Sequence, residues 1–487
     1  MGSSGLILAN RAYLDHEAPR WAESPSSSGN GGLLAALRPV IEPWDGVRGT
    51  TWIGAGLGRH DREWTDERGF ELLETPRGLL RHRRLYFPRR VWQGHYAQVS
   101  NSFTWPLFHI VRYDLPAATG YYPEPALVSA QDWADFEAVN NAFAAAAAEE
   151  AAPWAWVHDY QLALVPRMLR ERGFAGGIGF FLHIPFPDCE VAARYLRDGR
   201  GAAFKRLVGG MLGAGLLGFQ TEGDRERFAH AASVLCGATA VEGGLEIEGR
   251  YVRTGVFPVG IDPEEVLEVA RVAATPPRVQ NARASGLPLV VGLERGDFTK
   301  GIPERLRAVA AAFRSGMRFA YIGIAAPTRE GVSAYESLEA AVEAAADEAR
   351  AAAAAVGGSF AHARANVGWN DVVALQREAD VVFTSSLADG QNLVPLQAAI
   401  AQSLRRAEER GVVVTGRDAG VAHTLSGFER DGLAVVDPLD PGAMRETLVR
   451  ALRGEPGRIS ERFVGEVRRR DALAWATGFI EALEETC

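Results

Sequence analysis

Arg295 and Lys300 stand at the two ends of the stretch "RGDFTK", between the apolar run "PLVVGL" and the helical pattern "PERLRAVAAAF". Two cations where a strand hands over to a helix suit an anion, because the free amides of a helix N-terminus add to their field. They could clamp a diphosphate; they could equally be solvated loop charges. In "LADGQNLVPLQ" (387–397), Asp389, Gly390 and Asn392 precede a helix-like segment. A carboxylate there can accept hydrogen bonds from two vicinal sugar hydroxyls, and glycine lets a ligand approach the backbone, though a plain turn would use the same residues. His183 closes an apolar run in "FFLHIPFP" (180–187), where two prolines turn the chain, and His158, Asp159 and Tyr160 close another in "WVHDYQL" (156–162). A satisfied core histidine and a structural cap are the bland readings of these two.

These residues need strand ends to stand on. Short apolar runs alternate with amphipathic or alanine-rich segments, the pattern of βαβ units around a parallel sheet. The strand candidates are "GLILAN", "WAWVHD", "GIGFFLHI", "LLGFQ", "PLVVGL", "RFAYIGI", "DVVFTS" and "GVVVTG", most of them ending in polar residues. Strands that face a ligand in open α/β sheets end in this way. The segment 333–358, rich in alanine and glutamate and closed by a glycine pair, predicts a surface helix with a C-cap. The stretch 274–288 holds three prolines and little apolar content, and is the expected hinge.

A chain of 487 residues exceeds what one hydrophobic core holds, so two domains are expected. With 47% hydrophobic and 23% charged residues the composition is that of a soluble globular protein, and no apolar run is long enough to cross a bilayer. A net charge of −9 argues against nonspecific binding to nucleic acid or anionic membranes and leaves room for a focused cationic pocket. Cys189, Cys236 and Cys487 are odd in number and far apart, which supports neither a disulfide framework nor a zinc site and fits a reducing cytoplasm. The first residues lack the charged and apolar regions of a secretory signal.

Together and in order, these segments resemble the trehalose-6-phosphate synthase family of retaining GT-B glycosyltransferases. The resemblance runs through "ANRAY" (9–13), "GNGGLLAAL" (29–37), "HYAQVSNSFTWPLFH" (95–109), "WVHDYQL", "GFFLHIPFP", "GFQTEGDRERF" (218–228) and "FPVGIDP" (257–263). It continues through "ERGDFTKGIPERL", "IAAPTREGVSAY" (324–335), "DGQNLV" and "WATGFIEAL" (475–483). It implies an α/β fold of GT-B type with two Rossmann-like domains facing a cleft. Residues 1–270 would bind the acceptor, residues 271–470 the nucleotide sugar, and the C-terminal helix 471–487 would pack back on the first domain.

By the family's pattern, Arg295 and Lys300 match the pair that grips the donor diphosphate. Asp389, Gly390, Asn392, Leu393 and Val394 match the loop that holds the donor sugar and phosphate, and Gly32 a glycine-rich loop near the same phosphates. His183 matches the histidine beneath the donor sugar and Asp159 the carboxylate on the acceptor. Arg11, Tyr96, Trp105 and Arg329 match the cluster around the acceptor and its phosphate. The implied reaction moves a hexose from a nucleoside-diphosphate sugar, of UDP or GDP type, to a phosphorylated acceptor such as glucose 6-phosphate. It retains configuration by front-face internal return and needs no protein nucleophile, metal or other cofactor. The family permits homo-oligomers; nucleic-acid and membrane partners are not expected.

Three departures bear on substrate. Gln397 stands where the family has a glutamate that binds the nucleotide ribose; a neutral amide keeps one acceptor and loses charge-assisted bonds, a change of about 1–2 kcal/mol. Ala55, in "TWIGAGLG", stands where the synthases have a tryptophan, which implies a roomier acceptor pocket. The segments "SLADGQNL" (386–393) and "GRDAGVA" (416–422) also differ from the usual pattern. The first of these segments and the missing tryptophan are reminiscent of validoxylamine phosphate synthase, a pseudo-glycosyltransferase of the same family that couples a nucleotide cyclitol to an aminocyclitol phosphate. Hexosyl transfer is the first expectation, cyclitol coupling the second and a non-catalytic, sugar-phosphate-binding regulatory homologue the third. The retention of Arg295, Lys300, His183, Asp159 and Arg329 counts against the last.

Overall fold

A computed structural model describes residues 5–20, 34, 36–38, 50–75, 78–329, 335–455 and 457–486. Gly32 lies outside the described residues. The chain divides into two compact units: Met1–Arg112, Glu124–Val259 and Ala472–Cys487 form the first, and Tyr113–Pro123 with Gly260–Asp471 the second.

The first unit is built on a ten-stranded sheet in the order β3-β4-β2-β1-β5-β6-β7-β10-β9-β8. Its strands are β1 (Leu6–Arg11), β2 (Thr51–Ala55), β3 (Phe70–Thr75), β4 (Gly78–Leu85), β5 (Trp154–His158), β6 (Gly177–Phe181), β7 (Leu216–Phe219), β8 (Thr239–Val241), β9 (Gly244–Ile247) and β10 (Arg250–Val256). The run from β4 to β10 is parallel; β3 and the β8–β9 pair are antiparallel edges. The central strands β5 and β6 are buried at every residue, as parallel strands covered on both faces are. The last helix, Ala472–Glu484, lies across β6 and β7. A Cβ at Gly179 would stand 2.8 Å from Phe479 Cε1 and one at Gly218 2.7 Å from Phe479 Cε2, so two glycines on neighbouring strands seat one ring.

The second unit holds a six-stranded, wholly parallel sheet in the order β13-β12-β11-β14-β15-β16. Its strands are β11 (Leu289–Arg295), β12 (Ala320–Ala326), β13 (Ser359–Arg364), β14 (Val381–Phe383), β15 (Val412–Gly416) and β16 (Leu433–Val436). Both faces of β11 are covered: Leu289, Val291 and Leu293 enter one core, and Val290 the other. The helix Ile302–Arg314 adds Ile302, Leu306, Val309 and Phe313 to the second of these cores, one apolar stripe at helical spacing. The expected surface helix runs Glu336–Val356 and ends on Gly357 with φ 70°.

The proline-rich stretch expected to be the hinge is not where the chain changes units. It carries the helix Pro277–Ala284, whose Val279 and Ala282 are buried in the second unit's core. Proline at a first helical turn lacks only an N–H that has no intrahelical partner anyway, so these prolines start a helix rather than a linker. The chain leaves the first unit after Val259, so the helix Pro263–Val272 falls on the other side of the boundary from the one expected at 270.

In both sheets the strand order reverses beside the first strand of the unit. β1 lies between β2 and β5, and β11 between β12 and β14. Loops leaving neighbouring strands diverge at such a switch point and open a crevice at the carboxyl ends, the usual ligand site of an open α/β sheet.

Candidate active site

In the second unit the switch point lies between the loops after β11 and β14. Arg295 is the last residue of β11 and is exposed. Asp297 then caps a short turn of helix, Phe298–Lys300, and Gly301 takes φ 58° to open the helix Ile302–Arg314. A Cβ at Gly301 would lie 2.2 Å from Ser385 O, so glycine is required there on both counts. This geometry delivers Lys300, 8% exposed, to Asp389 on the neighbouring loop, and its Nζ donates to Asp389 Oδ2. Ser386 Oγ donates to the same oxygen at 3.1 Å and receives Asn392 Nδ2 at 3.2 Å. Asn392 Oδ1 accepts from Val394 N at 3.2 Å, which fixes the loop at the start of the helix Val394–Gln402. Gly390 is packed from the other side: a Cβ on Gly420 would sit 1.8 Å from Gly390 O, so the departing segment "GRDAGVA" is in direct contact with the "DGQ" loop.

Beneath Lys300 lies a charge network that the sequence reading did not assign. Arg305 is wholly buried and donates to Glu294 through Nη1, to Ser385 Oγ at 3.3 Å and to Tyr321 OH at 3.1 Å. Ser385 Oγ in turn donates to the carbonyls of Lys300, 3.0 Å, and Gly301, 2.9 Å. Burial opposes the charge on Arg305, but Glu294 beside it holds the guanidinium's pKa above its ordinary value. A charged helix residue with Glu304 before it and Arg307 two positions after reads locally as solvated, and only tertiary contacts show that it is not.

Arg329 also belongs to the second unit. It takes φ 46° and pairs with Asp297 Oδ2, while Tyr335 OH lies 2.9 Å from its Nη1. Asp297 is wholly buried and holds both the turn before Lys300 and this guanidinium. The other members expected around the acceptor, Arg11, Tyr96 and Trp105, are in the first unit. Gln397 is half-buried, and its Oε1 accepts from Gln376 Nε2 at 3.2 Å. The acceptor that an amide was expected to keep for ribose is therefore partly engaged within the protein.

In the first unit, Arg11 ends β1 and its Cζ lies 5.6 Å from the centre of the Tyr96 ring. Tyr96 sits in the segment Gln93–Thr104, wound as a π-helix. The side chains of Ser100, Asn101, Ser102 and Thr104 each donate to the carbonyl five residues back, at 2.8, 2.8, 2.8 and 2.9 Å, which supports the wider turn. His95 from the same segment donates to Asn10 Oδ1 at 2.8 Å, next to Arg11. Trp105 is buried against His109 and Tyr160, ring centres 4.2 and 5.8 Å away. Ala55, the last residue of β2, is wholly buried.

Asp159 follows β5 in a sparsely populated conformation, φ 71° and ψ 167°. Its N–H donates to Phe181 O at 2.8 Å, and its Oδ1 accepts from His183 N at 3.2 Å, so β6 holds the strain in place. Among the described residues five other than glycine take positive φ, and three are candidates from the sequence: Asp159, Arg329 and Asn392. Strain is concentrated where ligand contacts are expected. His183, just past β6, bonds to His158 at 3.0 Å and lies edge-on to Trp475 of the last helix, 5.8 Å away. Burial pushes His183 down to about 3, and burial followed by His183 holds His158 well below its usual range. Both are neutral at pH 7, which makes them hydrogen-bonding groups and not cations.

The sequence profile of glycosyltransferase family 20 matches residues 6–485. The chain belongs to glycosyltransferase family 20. It is 30% identical to the trehalose-6-phosphate synthase of Mycobacterium avium, over 99% of this chain and 96% of that protein. It is 27% identical to the α,α-trehalose-phosphate synthase [UDP-forming] A of Dictyostelium discoideum, covering 99% of this chain and 63% of that protein. The crystal structure of an α,α-trehalose-phosphate synthase (UDP-forming) from Burkholderia xenovorans in complex with glucose-6-phosphate matches it with a TM-score of 0.81 and 25% identity, over 99% of this chain and 100% of that one. As a family 20 member the chain has the GT-B fold, with two Rossmann-like units. Among the described residues no helix is long and apolar enough to cross a membrane.

Proposed function

We propose that this family 20 chain transfers glucose from UDP-glucose to glucose 6-phosphate with retention of configuration, giving trehalose 6-phosphate and UDP. The observation that carries the reading is the meeting of Lys300 and Asp389, 89 residues apart in sequence, at the switch point of the second unit. A cation suited to a diphosphate and a carboxylate suited to sugar hydroxyls are side by side on neighbouring loops, as a nucleotide sugar requires. The names of the relatives supply the nucleotide, the sugar and the acceptor.

As the anomeric C–O bond breaks, its electron pair passes to the diphosphate oxygen, and Arg295 and Lys300 stabilise that charge from fixed positions. The acceptor hydroxyl forms the new bond on the same face, and its proton goes to the leaving phosphate oxygen. Asp389, Gly390 and the backbone from Asn392 to Val394 hold the donor sugar and phosphate, and Gln397 takes the ribose. His183 bonds to the donor sugar, and Asp159 orients the acceptor. Arg11, Tyr96, Trp105 and Arg329 gather the acceptor and its phosphate. Neutral His183 directs without competing for the proton. A cytoplasmic setting fits the free Cys189 and Cys236.

A second reading, coupling of a nucleotide cyclitol to an aminocyclitol phosphate, is favoured by the segment "SLADGQNL" (386–393) and by Ala55 in place of the tryptophan. One assay separates the two. Purified protein is incubated with UDP-glucose or GDP-glucose and glucose 6-phosphate, and in parallel with a nucleotide cyclitol and an aminocyclitol phosphate, and products are followed by mass spectrometry and anomeric NMR. A disaccharide phosphate with both anomeric centres α, made from UDP-glucose, supports the proposal. No product from either donor, with turnover of a nucleotide cyclitol, replaces it by the second reading.

A further inference from the structure

His158 ends β5 with no exposed surface, and its Nδ1 lies 3.0 Å from His183 Nε2. Trp156 and Trp475 flank it, ring centres 4.5 and 6.4 Å away. Its other nitrogen, Nε2, is buried and makes no hydrogen bond among the described residues. Each ring is neutral and carries a single proton. His183 is itself held in orientation, by Phe181 at 4.6 Å, by Trp475 at 5.8 Å and through its backbone N–H on Asp159.

Two neutral imidazoles can share one hydrogen bond in two ways. If His183 Nε2–H donates, His158 Nδ1 accepts and the His158 proton is forced onto Nε2, which strands a buried N–H against indole rings. If His158 Nδ1–H donates, only a lone pair is stranded. Orphaned buried N–H groups are the rarer of the two defects, so the second arrangement is favoured. It places the lone pair of His183 on Nε2, toward His158, and its proton on Nδ1.

We propose that His158 is a positioning residue that fixes His183 in the Nδ1–H tautomer, so that His183 offers an N–H donor to its ligand. That the ligand is the donor sugar rests on the function proposed above; the tautomer does not. The assignment also gives a use to a buried histidine that the transfer chemistry leaves unassigned.

Long-range proton–nitrogen correlation spectra of histidine-labelled protein read the tautomer directly, with no substrate present. In the wild type His183 should show a protonated Nδ1 and a bare Nε2; the reverse assignment overturns the proposal and needs no variant to fold. In His158→Phe, which keeps a ring but removes the donor, the His183 resonances should move toward the other tautomer. Turnover with UDP-glucose and glucose 6-phosphate should then fall about 10-fold in kcat with a smaller change in KM, the size of one hydrogen bond. His158→Asn, whose amide can donate from near the old Nδ1 position, should recover most of that loss. An unchanged His183 spectrum in His158→Phe, or equal losses in the Phe and Asn variants, would reduce His158 to packing and overturn the proposal. The predicted tautomer in a protein with no transfer activity would instead remove the proposed function and leave this inference standing.

Discussion

In the second unit three cations near the switch point rest on carboxylates: Arg305 on Glu294, Lys300 on Asp389 and Arg329 on Asp297. At the corresponding strand ends of the first unit the paired groups are two neutral histidines, His158 and His183, in aromatic surroundings. On the function proposed above, the two sites solve different problems. A diphosphate gains charge as it leaves, so the group that holds it must be charged, and fixed carboxylates keep that charge in place without reorganisation. A sugar hydroxyl changes little in charge and must be oriented, which a neutral, directional donor does at a lower desolvation cost.

The sharpest way to break this comparison is Arg305→Leu, which leaves Glu294 buried without its partner and should cost about 3–5 kcal/mol in denaturant unfolding. The double variant Glu294→Gln/Arg305→Met should recover much of it. A stable single variant would mean that the network under Lys300 is not structural. Next is Lys300→Ala, for which we expect kcat to fall about 100-fold or more with the fold intact by circular dichroism. A rate within a few-fold of wild type would remove the leaving-group role.

Acid separates the units next. His82, His95, His158 and His183 of the first unit are held below their ordinary pKa by burial, His95 and His183 to about 3; in the second unit His362 is held to about 4. A depressed histidine stabilises the fold above its unfolded pKa near 6.5, and that stability is lost as pH falls from there through the folded value, about 3 for His95 and His183. Asp15 runs the other way: burial and then Asp61 raise it to about 6, so its contribution is lost as pH rises from 3.8 through about 6. The four histidines outweigh it, and hydrogen exchange between pH 7 and pH 4 should show the first unit opening before the second. Simultaneous opening would contradict the contrast. The smallest effect is expected from Gln397→Glu, which should change UDP affinity by about 1–2 kcal/mol and leave glucose 6-phosphate affinity alone. Equal effects on both ligands would misplace Gln397.

The local signals in the chain were legible where local physics decides. Apolar runs mark β5, β6 and β11 because both faces of those strands are covered, and Gly357 marks the end of its helix because only a left-handed residue closes it there. Arg295, Lys300, His183 and Asp389 stand out because they follow such runs, where an open α/β sheet meets its ligand. What escaped was set by distant contacts. Arg305 reads as a solvated helix residue but enters the core to meet Glu294. Trp475 reads as an apolar helix residue but reaches His183. Prolines near 276 read as a linker because composition does not tell a helix start from a hinge. The transfer of Tyr113–Pro123 to the second unit has no compositional mark, although Tyr121 OH donating to Glu304 Oε2 at 2.6 Å explains what holds it there.

The central claim is that Arg295 and Lys300 hold a nucleoside diphosphate. Calorimetric titration of the wild type and of Arg295→Ala with UDP and with GDP tests it most directly. The account predicts saturable one-site binding of UDP, tighter than GDP, weakened about 10-fold or more in Arg295→Ala, the worth of one charge-assisted hydrogen bond. Equal binding of UDP by both proteins, or no binding by either, would contradict it.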